Sequence, residues 1–138
     1  MRYSFKTIFL LVFFSQVIYS QTKSPSEFLG YELGERFSRH DQVVDYFAHV
    51  AKNNPTVKLI SYGKTYENRS LQLAMVTSQE NFNRLEEIRT SQLRSAKLIE
   101  GNGPKQDVAI VWLSYSVHGN ESVSTEVSMK TLYELVNP

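Results

Sequence analysis

Residues 108–113 read VAIVWL, a run with no polar side chain, so in extended form it presents apolar groups on both faces. A strand of that kind is stable when covered on both sides, the situation of a central strand in an α/β sheet. One six-residue run therefore asks for helices above and below it. The run leads straight into SYSVHGNESVSTE, residues 114–126, in which His118 and Glu121 stand three positions apart.

The segments on either side fit such a layered domain. Ser38 followed by Asp41 has the form of a capping box, and Val43, Phe47, Val50 and Ala51 recur at helical spacing until Asn53-Asn54-Pro55 breaks the pattern. Val57 and Leu59, then Leu71, Leu73 and Met75, alternate with polar or smaller neighbours around the polar turn 63–70, which predicts a hairpin. Residues 81–98 carry a weaker helical stripe, Leu85, Ile88 and Leu93, ahead of the Gly101-Asn102-Gly103-Pro104 breaker. Met129, Leu132, Tyr133 and Val136 mark a last helix. The order helix, strand, strand, helix, strand, helix predicts an α/β domain over residues 38–138, a mixed sheet with helices on both faces. Ligands in open α/β sheets bind beyond the carboxyl ends of strands, which is where His118 and Glu121 fall.

The N-terminus sets the compartment. Arg2 and Lys6 precede an uninterrupted apolar run, residues 8–14, and Ser20 is a small residue suited to cleavage. This is the pattern of a secretory signal peptide over residues 1–20. The apolar run is well short of the roughly 20 residues a membrane-spanning helix needs, so a secreted or periplasmic protein, free of the membrane after cleavage, is expected. Residues 21–37 are polar, with Pro25, Gly30 and Gly34 spread through them, and read as an irregular lead-in. Lys and Arg number 15 against 14 Asp and Glu, and no basic stripe points to nucleic acid. There is no cysteine, so a metal site must draw on His, Asp or Glu.

Neutral imidazole and carboxylate are good zinc donors, and side chains three apart on a helical turn are neighbours. Gly119 allows a sharp turn after the strand, and Asn120 or Ser122 offers a cap for the helix that follows. The bare H-x-x-E pattern also suits a turn histidine beside an exposed glutamate. His40 and His49, at the start and on the polar face of the first helix, read as solvated structural residues.

More specific is the segment Gly63-Lys64-Thr65-Tyr66-Glu67-Asn68-Arg69-Ser70-Leu71, which resembles the G-x-[ST]-x-x-x-R-x-[IL] hairpin of the zinc carboxypeptidases, the M14 metallopeptidases. In that family a helix precedes the hairpin, and a buried strand ending in H-x-x-E follows it; the same parts stand here in the same order. The resemblance implies a zinc-dependent peptidase that removes C-terminal residues from peptides, with His118 as the first zinc ligand and Glu121 as the second. The family's third ligand, a histidine, its general-base glutamate and the arginines that hold the substrate carboxylate come later in its chain than this first motif. The chain therefore looks like the N-terminal part of a catalytic domain, with no catalytic base of its own and no activity alone.

One departure, at Asn120, keeps other readings open. Where digestive-type members often have arginine before the ligand glutamate, this chain has Asn120. The H-G-N-E form is also similar to that of deacylases, so a zinc amidohydrolase of acylated amino acids or cell-wall peptides is the alternative activity. A non-catalytic exported binding domain of the same fold is the alternative outside the enzymes.

Overall fold

A computed structural model describes residues 22–102 and 108–138. The signal segment expected over residues 1–20 lies outside the described residues.

The lead-in is more ordered than its composition suggests. Helix α1, Pro25–Leu29, is set by a complete capping box: the Ser24 hydroxyl accepts the Glu27 N–H at 3.3 Å, and the Glu27 carboxylate accepts the Ser24 N–H at 2.7 Å. Pro25 occupies the first turn, where its missing N–H is no loss, and Gly30 ends the helix in the left-handed conformation at φ 77°. Residues 31–38 then cross to helix α2, His40–Asn53. The expected Ser38–Asp41 box does not form. Arg39 is the cap residue, its N–H donating to Gln42 Oε1 at 2.9 Å, while the Ser38 hydroxyl is directed to Glu126.

Strands β1, Val57–Lys64, and β2, Ser70–Val76, form the expected hairpin, antiparallel with Val57 opposite Val76 and an irregularity at Ser61/Gly63. Asn68 sits at φ 64° in its turn, a region that Asn tolerates better than most residues, with its N–H on the Thr65 carbonyl at 2.9 Å. The single helix expected over residues 81–98 is two: α3, Gln79–Asn83, and α4, Leu85–Ser95. Ser78 caps the first through the Asn81 N–H, and the chain breaks at Arg84, whose guanidinium is held on Asn81 Oδ1 at 3.1 and 3.2 Å. The second ends early in a Schellman motif, Leu98 N–H to Leu93 carbonyl and Lys97 N–H to Arg94 carbonyl, both 2.9 Å, with Lys97 at φ 58°. Helix α5, Val123–Val136, follows the expected pattern.

The core forms where α2, β1 and α5 meet: Tyr46, Val50, Val57, Met129 and Leu132 are buried, with Phe28, Leu29 and Leu33 packed against them from the N-terminal stretch. The α/β class holds, as helices packed with an antiparallel hairpin. The strand that would make the sheet mixed, residues 108–113, pairs with neither β1 nor β2. Val111 and Trp112 are 76 % and 72 % exposed, and Gln92 Nε2 donates to the Val108 carbonyl at 3.0 Å. Composition gave this segment its strand tendency, but a strand forms by pairing, and among the described residues none pairs with it.

His49 is structural, as expected, but half-buried rather than fully solvated. Its ring lies 5.3 Å from Phe28 and 6.3 Å from Tyr46, and Nε2 accepts the Lys23 N–H at 3.2 Å. Burial, with Lys23 and Lys52 nearby, holds its pKa below the ordinary histidine value. The unfolded chain therefore takes up the proton first as pH falls through about 6.5. Stability supplied by neutral His49 is full above that pH and is lost on acidification toward the lower folded-state pKa. Melting temperatures of the native chain and His49→Gln, taken between about pH 8 and pH 5, should converge toward the acid end; a constant gap would contradict this account.

Candidate functional site

The turn that carries His118 and Glu121 is fixed by backbone bonds. The Glu121 N–H donates to the His118 carbonyl at 3.1 Å, so the two residues stand at the ends of one tight turn before α5, rather than on one face of the helix. Gly119 is outside the left-handed region, and a Cβ there would meet nothing within 4 Å, so this turn does not require glycine. Ser122 occupies the cap position of α5 with helical angles and no side-chain cap bond.

A cluster of hydroxyls does the bracing instead. Ser124 gives both its N–H, at 3.1 Å, and its hydroxyl, at 2.7 Å, to the Glu121 carbonyl. Its oxygen in turn accepts the Ser116 N–H at 2.9 Å, and Ser116 Oγ lies 3.2 Å from both Ser124 Oγ and Thr125 Oγ1. Ser116, at φ 55°, is thereby tied across the turn to the start of α5. Sequence reading passed over these residues, although the run of hydroxyls flanking His118 and Glu121 was visible as Ser114, Ser116, Ser122, Ser124 and Thr125.

Both side chains are exposed and border a groove of about 590 Å³ between α2, the hairpin, residues 112–122 and α5. His40, Arg69 and Trp112 line the same groove. His49 belongs to the Phe28–Tyr46 cluster instead. Imidazole and carboxylate are zinc-type donors, and at the two ends of a braced turn they suit part of a metal's ligand set. A third is lacking: among the described residues no group of three or more His, Cys, Asp or Glu side chains is placed to hold a metal ion.

Over residues 43–138, from α2 through the hairpin to the end of α5, the chain matches the profile of a class of metallopeptidases. It belongs to the zinc carboxypeptidase family, the M14 peptidases, as the hairpin and the H-x-x-E turn led one to expect. No curated protein and no solved structure matches it.

Proposed function

We propose that this chain is the N-terminal, zinc-carrying part of an exported carboxypeptidase, with His118 Nδ1 or Nε2 and the Glu121 carboxylate as two of the metal's ligands. The observation that carries the reading is the turn itself: two zinc-type donors at its ends, facing a groove, within the segment that matches the family. When bound, zinc supplies Lewis-acid chemistry, polarising a carbonyl and making water acidic enough to react near neutral pH.

The chain's own residues hold that centre in place. Ser124 fixes the Glu121 backbone, Ser116 ties the approach to α5, and the groove leaves both donors open to an extended peptide. A catalytic zinc takes three protein ligands and one open position. The third ligand and the proton-accepting carboxylate come, in this reading, from other residues of the complete protein. Export follows from the charged, apolar and small residues of positions 1–20.

The test is to assay the complete protein, with and without a chelator, against blocked peptides and N-acyl amino acids. Chelator-sensitive release of C-terminal residues is the expected result. Turnover of N-acyl amino acids alone would replace the peptidase reading with the deacylase that the H-G-N-E form also suits. No turnover of either, with zinc bound, would leave a binding domain.

A further inference from the structure

Glu126 lies in the first turn of α5 and is only 7 % exposed. A buried carboxylate is unfavourable unless its oxygens are hydrogen-bonded. Here both are: Oε2 accepts the Gly34 N–H at 2.6 Å and Oε1 accepts the Ser38 hydroxyl at 2.8 Å. The donors belong to residues 31–38, separated from Glu126 by 92 and 88 positions. Gly34 makes its approach at φ 88°, a backbone conformation that other residues rarely adopt.

Among the described residues, the remaining polar contacts of that stretch are local. Tyr31 Oη meets Ser38 Oγ at 2.8 Å, the Glu32 N–H donates to Glu35 at 3.3 Å, and Arg36 lies over the Tyr31 ring at 4.4 Å. Ser26 reaches Glu32 from α1 at 3.0 Å. Leu33 packs on the core, and the two hydrogen bonds that tie residues 31–38 to α5 both run to Glu126. The far end of the stretch matters, because Ser38 and His40 line the groove that His118 and Glu121 border.

We propose that Glu126 is a clasp: it holds residues 31–38 as a strap against the start of α5, and release of the strap opens the groove where α2 begins. Two readouts on the full chain test this, amide exchange at Gly34 and tryptic cleavage after Arg36, which is exposed in the strap. The Gly34 amide is expected to be protected in the native chain. In Glu126→Ala that protection is lost and cleavage after Arg36 rises about tenfold or more, because cleavage follows the open population. Cleavage after Arg89 on α4 stays unchanged. Glu126→Gln, whose amide keeps an acceptor for Gly34 and a donor for Ser38, restores most of the protection.

Free-amide exchange at Gly34 in the native chain would overturn the proposal. So would equal acceleration after Arg36 and Arg89, which would make Glu126 a general stability residue. If Glu126→Ala does not fold, Ser38→Ala removes one donor and must raise cleavage after Arg36 selectively; an unchanged rate there also overturns the clasp.

Discussion

Tyr46→Ala is expected to lower the free energy of unfolding by about 3–5 kcal/mol, the range for deleting a large buried aromatic ring. Tyr46 is fully buried at the centre of the core, beside Val50, Val57, Met129 and Leu132. Its ring packs edge-on to Phe28 at 5.2 Å, and its hydroxyl donates to the Lys23 carbonyl at 3.0 Å. The residue therefore joins α2 both to the core and to the N-terminal stretch. Domains of ordinary stability have only about 5–15 kcal/mol in total, so the variant should stand near the edge of unfolding. Tyr46→Phe separates the two contributions: it keeps the ring, loses the hydroxyl bond, and should cost about 1 kcal/mol. Urea unfolding of the two variants checks this. Equal losses would mean that the hydroxyl bond, not the packed ring, dominates.

Burial also raises the Tyr46 phenol pKa, with desolvation as the main cause. The neutral hydroxyl is the form that donates to Lys23, so the group stays protonated throughout the range in which zinc peptidase chemistry would operate.

The elements read correctly from sequence are those whose side chains report a local period. Val43, Phe47 and Val50 gave α2, Met129 and Leu132 gave α5, and the alternation around residues 63–70 gave the hairpin. Where short polar side chains decide, the apolar pattern said too little. Ser24 and Glu27 build α1 inside a stretch that looked irregular, and Ser78 with Arg84 divides the helix expected over residues 81–98. Ser38 was legible as a cap residue, yet a buried carboxylate far along the chain takes its hydroxyl. Residues 108–113 mark the opposite limit: their composition favours a covered strand, but cover depends on neighbours that no local pattern encodes. At the site, the residue types, their spacing and a turn ahead of the last helix were legible, while the bracing of that turn was not. Asn120 or Ser122 was expected to cap the helix, and Ser116 and Ser124 hold the turn instead.

That geometry gives the site prediction its sign and size. In the complete protein, His118→Ala should remove zinc and reduce activity more than about 100-fold. Loss of partners that merely orient a ligand commonly weakens metal affinity or activity 10–100-fold, and loss of a ligand itself must exceed that. Ser124→Ala, which keeps the backbone bond to the Glu121 carbonyl but removes the hydroxyl bond to it and the tie to Ser116 while leaving both donors, should fall within the 10–100-fold range. The His118 side chain is exposed and has no role in the core, so His118→Ala should melt at the same temperature as the native protein when both are stripped of metal. Zinc content by mass spectrometry, with melting curves taken alongside, distinguishes a lost ligand from a lost fold. Full zinc occupancy in a folded His118→Ala protein would remove His118 from the site and leave the turn a structural feature; lost zinc at an unchanged melting temperature ties the metal to His118 through the turn that also presents Glu121.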